Sequence, residues 1–165
     1  SSDLAIHLCF PYRWTAEEKI GLDFVTMHLP VPGIENFRRP GMVNIMLQKG
    51  PLVRFVWEVV TDTRLNHHPE PPPGVPLERW QRRPFDPEDP RFFLRVERVV
   101  IWSFPDQEAA LLAVRVSFQD GAAIRRDPTR RDALCAAIAS MSPESLRYKG
   151  LAEYRDQILA WLQGG

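Results

Sequence analysis

The feature that most restricts this chain is the proline-rich stretch at residues 66–90. Pro69, Pro71, Pro72, Pro73 and Pro76 each fix φ and remove a backbone donor. No helix interior or central strand can run through such a segment. A connection this long inside a compact domain is either functional or disordered. It divides the pattern of the chain into a part before it and a part after it, and each must build regular structure separately.

Before the proline stretch, Leu4, Ile6, Leu8 and Phe10 alternate as in a half-buried strand. Thr15-Ala16-Glu17-Glu18 then forms a capping box for one short helix ended by Gly21. Residues 23–29 read as a second strand, stopped by Pro30-Val31-Pro32-Gly33. Residues 34–49 read as helix broken at Pro40. Three further strands are expected at Val53/Phe55/Trp57/Val59, at Leu94/Val96/Val100/Trp102 and at Ala110/Leu112/Val114/Val116/Phe118. The last two are joined by a hairpin-length turn at Pro105-Asp106. Residues 127–165 read as helices, with Asp127-Pro128 and Ser142-Pro143 as start signals. Leu151, Tyr154, Ile158, Trp161 and Leu162 make a final amphipathic stripe. The order of elements is that of an α+β domain, an antiparallel sheet with helices packed on one side, and it matches the strand order of a PAS domain. One domain over residues 1–165 is expected, as 165 residues at 44% hydrophobic content suit a single ordinary core.

Charge narrows the partners. Lys+Arg and Asp+Glu both number 21, and a neutral balance argues against nucleic acid or an anionic membrane surface as partner. The apolar runs are too short to span a bilayer, and Ser1-Ser2-Asp3 lacks the basic and apolar regions of a signal peptide. Cys9 and Cys135, expected as two buried thiols, point to the cytoplasm. The dinucleotide, Walker, nucleophile-elbow and zinc-protease motifs are absent, and so is the C-x-x-C-H of covalently attached haem.

Four histidines remain as candidate ligands. His7 falls on the polar side of its alternating segment. His67 and His68 are adjacent, so on extended chain they diverge and chelate poorly. His28 lies in Met27-His28-Leu29-Pro30-Val31-Pro32-Gly33, where two prolines stiffen the backbone that follows. By pattern alone it is either a satisfied half-buried histidine or a metal ligand. Charge inside the strands is equally two-sided. Arg54 and Glu58 share one face of the first expected sheet strand. Arg95 and Glu97 share a face of the second, with Arg98 opposite, and Arg115 lies opposite the apolar face of the third. These groups form either the solvated face of an antiparallel sheet or the lining of a pocket that meets an anion.

Five ordered segments resemble one family. They are Cys9-Phe10-Pro11-Tyr12-Arg13-Trp14 with Glu18-Lys19-Ile20-Gly21, then Met27-His28-Leu29-Pro30-Val31-Pro32-Gly33, Arg54-Phe55-Val56-Trp57, Leu94-Arg95-Val96-Glu97-Arg98 and Tyr148-Lys149-Gly150-Leu151. Their order and spacing resemble the α-subunit of the haem-dependent oxidative N-demethylases. The resemblance implies a PAS-like fold holding haem b, an iron cofactor that activates O2 to oxidise the methyl group of a secondary amine such as dimethylamine. It implies electrons from NADPH through a separate flavin and iron–sulfur reductase subunit. It makes His28 the axial iron ligand, Arg54, Arg95 and Arg98 partners for propionates or for proton delivery, and Glu97 the group that holds the amine or relays protons. Arg95 and Glu97 are thus the expected catalytic residues, and His28, Arg54 and Arg98 the cofactor-binding ones. The chain departs from the family pattern at Val56 and Val99, where the family carries Asn and Gln. A non-catalytic haem or gas-binding module of PAS type, and an apo subunit that only assembles with partners, are the rival readings.

Overall fold

In a computed structural model that describes residues 5–38 and 40–164, three strands are formed: β1 (Leu52–Val60), β2 (Phe93–Phe104) and β3 (Ala109–Asp120). They make one antiparallel sheet in the order β1-β2-β3, with β2 central. The β2–β3 hairpin closes through a 3-10 turn at Pro105–Gln107, followed by Glu108 in left-handed geometry at φ 48°. Proline pre-sets the first turn position, which is why the chain reverses there. The helices are α1 (Phe24–Met27), α2 (Pro40–Gln48), α3 (Leu77–Trp80), α4 (Gly121–Arg126), α5 (Pro128–Ala139), α6 (Pro143–Tyr148) and α7 (Arg155–Gln163). The fold class is α+β, as expected, but helices lie on both sides of the sheet and not on one alone.

Two expected strands do not form. Leu4 lies outside the described residues, and residues 5–10 are irregular, although Ile6 and Leu8 are half-buried and His7 is exposed. A lone alternating segment needs a neighbouring strand to complete its backbone bonds. Among the described residues the chain that follows makes a parallel bridge at Tyr12, paired with His67. Residues 24–27 are helix α1 instead of strand, because the Asp23 carboxylate accepts hydrogen bonds from the Val25 and Thr26 amides at 2.9 and 3.1 Å. An N-cap of that kind outweighs the β preference of Phe24-Val25-Thr26. Thr15 and Glu18 make half of the expected capping box, with the Thr15 amide donating to Glu18 at 3.2 Å. The one turn that follows ends at Gly21, φ 82°.

The proline stretch is also less barren than its composition implies. Pro76 stands just before the first turn of α3, where a proline costs no intrahelical bond. The 3-10 turn Ile34–Arg38 and α2 fall on either side of Arg39, close to the expected break at Pro40.

By contacts the chain divides into two compact units. The first comprises Ser1–Arg54, Arg64–Arg82 and Arg98–Val114; the second comprises Phe55–Thr63, Arg83–Glu97 and Arg115–Gly165. The second unit has a continuous core. Phe85, Phe92, Ile124, Leu134, Ile138, Ile158, Trp161 and Leu162 are all buried in it, with Trp57 and Leu94 packed against it. Phe92 and Trp161 sit 5.1 Å apart by ring centroids, and Phe85 closes edge-on over both. Gly121 must be glycine here, since a Cβ would lie 2.4 Å from the Phe92 carbonyl oxygen. Asp127 and Ser142 cap α5 and α6 as their sequences indicate. Helix α4 escaped the sequence reading; Asp120 caps it directly at the end of β3.

The first unit buries Val25, Ile34, Val99, Val100 and Ile101. Val99 is thus a core residue at 3% exposure, so the apolar departure from the family pattern at this position is used for packing. Cys9 is exposed and Cys135 half-buried, both as free thiols, which corrects the expectation of two buried ones.

Candidate functional site

His28 is the C-cap residue of α1, so the Asp23 cap that starts the helix also fixes the histidine that ends it. Its Nδ1 lies 2.7 Å from the Phe24 carbonyl oxygen. A carbonyl can only accept, so Nδ1 carries the proton and the imidazole lone pair is on Nε2. The Phe24 ring packs against the imidazole with centroids 4.5 Å apart. Beyond it the chain turns back at once, with the Val31 amide donating to the His28 carbonyl at 2.8 Å. The Lys19 ammonium donates to the Met27 carbonyl at 2.7 Å, pinning the same helix end. The ring is therefore held by its own backbone, its stacked neighbour and a stiff exit.

His67 is held in the opposite tautomer. His67 is buried at 9% exposure, and the Arg64 guanidinium lies 3.0 Å from its Nδ1. Arginine has only donors, so this nitrogen accepts and the proton resides on Nε2. The Arg64 guanidinium also donates to the Trp80 carbonyl and lies 4.1 Å over the Trp80 indole. Tyr12 meets the His67 ring edge-on at 5.4 Å, and backbone bonds to Pro11 and Arg13 hold the histidine from both sides. At His68 the Nδ1 lies 3.0 Å from the Glu70 amide and 3.1 Å from the Glu70 carbonyl oxygen, contacts that call for opposite tautomers and fix neither. The sequence reading missed this Arg64–His67–Trp80 cluster; a lone arginine and tryptophan flanking a proline run were the only signals for it.

The strand charges separate as their alternation requires. Arg95 is buried at 6% exposure and pairs with Glu97 at 2.5 Å. Arg98 on the other face is exposed, and so are Arg54 and Arg115. The structure thus brings Arg95 and Glu97 together in the second unit, while His28, Arg54 and Arg98 belong to the first. Lys149 is a further residue of the second unit that had no role by sequence. Its ammonium donates to the Trp57 carbonyl at 2.6 Å and lies 5.0 Å from the centre of the Trp57 ring. Burial pushes its pKa below the usual lysine range, and the negative charges of Glu58 and Glu97 oppose that shift.

What can this arrangement hold? Among the described residues no three His, Cys, Asp or Glu side chains are grouped to chelate a metal ion. A haem needs one axial protein ligand, and a ligating histidine normally donates its other ring N–H to a carbonyl or carboxylate. His28 fits that pattern, whereas on His67 the Arg64 guanidinium holds the proton at Nε2. No helix among the described residues is long and apolar enough to cross a membrane. No curated protein sequence matches the chain. The family described as haem-dependent oxidative N-demethylase, alpha subunit-like, matches residues 4–159 of the 165-residue chain, and the chain belongs to that family.

Proposed function

We propose that the chain is the haem b-binding, oxygen-activating subunit of a cytoplasmic monooxygenase that removes a methyl group from a secondary amine. The observation that carries this reading is the His28 hydrogen bond to Phe24, which sets the one tautomer able to give an Nε2 lone pair to iron. Haem bound there would supply the reduction of O2 and the insertion of one oxygen atom into a C–H bond. Arg54 and Arg98, on the same unit as His28, are the cations to pair with propionates. Adjacent strand positions alternate, so either Arg98 or the Arg95–Glu97 pair faces the haem; where it is the pair, Arg95 holds the Glu97 carboxylate to accept a hydrogen bond from an amine N–H or to pass on a proton.

The overall reaction consumes one secondary amine, one O2, two electrons and two protons. One oxygen leaves as water, and the other enters the methyl group to give a carbinolamine. Breaking its C–N bond releases the primary amine and formaldehyde. The chain has no dinucleotide-binding or cluster-binding motif of its own, so the electrons are assigned to a separate NADPH-, flavin- and iron–sulfur-dependent reductase.

The test is an absorbance scan of the full chain reconstituted with hemin. A Soret band is expected. In His28→Ala it should fall in intensity or shift, and added imidazole should restore it in part. If His28→Ala leaves the spectrum untouched while His67→Ala or His68→Ala alters it, the ligand assignment is wrong. Formaldehyde release from dimethylamine with reductase and NADPH separates an enzyme from a gas-binding module.

A further inference from the structure

The second unit contains an open apolar cleft of about 320 Å³ that none of the preceding roles uses. Phe55 and Trp57 of β1 form part of its floor, and Arg130, Ala133 and Ala137 of α5 form its wall. These three wall positions recur at helical spacing and so lie on one face of α5. The neighbouring Leu134 and Ile138 already fill the core at 7% and 0% exposure. The alanines therefore leave space beside a helix whose packing is otherwise complete. Phe55, although it lines the cleft, keeps 64% of its surface in water. A concave apolar surface with a large aromatic ring left uncovered is the usual form of a ligand site.

The rim has one cation. Arg130 Nε is 3.8 Å from the Asp127 carboxylate. The other oxygen of that carboxylate, Oδ1, caps α5, accepting from the Thr129 and Arg130 amides at 3.1 and 3.2 Å, while Oδ2 faces the guanidinium. The two terminal nitrogens of Arg130 make no hydrogen bond among the described residues. The cleft volume is at the lower end of small-molecule sites, about 300–1,000 Å³, and is too small to seat a helix of about 10 Å diameter. We propose that this cleft binds an aryl carboxylate, its ring against Phe55 and Trp57 and its carboxylate at the Arg130 guanidinium. The site is independent of the haem reading and stands or falls separately from it.

Full-length protein titrated with 2-naphthoate, followed by calorimetry, should show one saturable site. The neutral isostere 2-naphthamide should bind about threefold to fivefold more weakly, the size expected of an exposed and screened ion pair. That preference should shrink as salt is raised. Arg130→Gln should abolish the preference while leaving naphthamide binding unchanged. Ala137→Leu should weaken both ligands more than tenfold with the circular dichroism spectrum unchanged; should that variant fail to fold, Ala133→Met closes the cleft from its exposed side. The proposal is overturned if wild-type protein shows no saturable binding, if filling the cleft leaves binding intact, or if Arg130→Gln retains the preference. Any of these results leaves the Soret experiment unaffected.

Discussion

The two units are held together by different physics. The second encloses Ile124, Ile138, Ile158 and Leu162 almost completely and locks them with three aromatic rings. Burial of that kind is non-directional and grows with area. The first also buries Val25, Ile34, Val99, Val100 and Ile101, and around His28 and His67 it adds directed contacts: the Asp23 cap, the Lys19 bond to Met27, and Arg64 shared between His67 and Trp80. Directed contacts stabilise less in total but set the orientation of single side chains. The role proposed for His28 needs an aimed ring, and a cap, the neighbouring Phe24 ring and a carbonyl hold it in place. The contrast between the units yields a ranking of expected effects.

The largest should come from the aromatic core of the second unit. Trp161→Ala removes a ring that touches both Phe85 and Phe92 and supports Arg125 over its face. The expected loss is about 3–5 kcal/mol, from transfer and cavity terms together. Urea unfolding followed by circular dichroism measures it. A loss below about 1 kcal/mol would mean that the cluster is not the main source of stability, and the contrast between the units would collapse.

Next comes Arg64→Ala in the first unit. The substitution takes the donor from His67 and from the Trp80 carbonyl in one step. Leaving buried acceptors unpaired costs about 1–3 kcal/mol. The effect should be local, seen as faster hydrogen exchange across residues 64–82 while α5 and α7 stay protected. Uniform acceleration through both units would show that they unfold together.

The same contrast explains what was legible in the sequence. Helices α5, α6 and α7 and strands β1 to β3 were readable because burial imposes a period, and a period survives in one dimension. The stripe Leu151, Tyr154, Ile158, Trp161 and Leu162 does pack on the core, although α7 itself begins only at Arg155. Residues 23–29 were misread because one Asp cap decided the local conformation, against the propensity of the three residues after it. The tautomers of His28 and His67 were invisible, since each depends on a partner fixed only by the fold, Phe24 in one case and Arg64 in the other. Alternation did place Arg95 with Glu97 and Arg98 opposite; it could not tell which face would be buried.

Asp23→Ala sharpens the comparison at smaller scale. Losing an N-cap costs about 1 kcal/mol. In α1 that cap also orients the residue proposed to hold iron, so the loss should appear less in global stability than in haem affinity. The expected reading is near-wild-type urea unfolding with a hemin dissociation constant raised by about fivefold, the equivalent of the lost cap energy. An unchanged hemin affinity would separate the cap from the ligand.

The smallest effect is expected at Lys149, where the second unit uses a directed contact of the kind that holds His28 and His67 in the first. Its ammonium bonds the Trp57 carbonyl at 2.6 Å, yet burial lowers its pKa from an ordinary value near 10.5. Between the lowered folded value and 10.5 the unfolded chain binds the proton and the folded chain has released it. Stability contributed through this group must then rise with pH across that window, because the unfolded state holds more protons. Below the window the ammonium is charged in both states and the burial penalty is present in full. Other lysines and tyrosines titrate in the same range, so the measurement is a difference: wild-type unfolding free energy minus that of Lys149→Met, followed from pH 8 upward. The wild type should gain on the variant as pH increases. A difference that falls instead would mean that the Trp57 carbonyl and ring, with Glu58 and Glu97, favour the ammonium more than burial disfavours it, and that this contact belongs with the orienting bonds of the first unit.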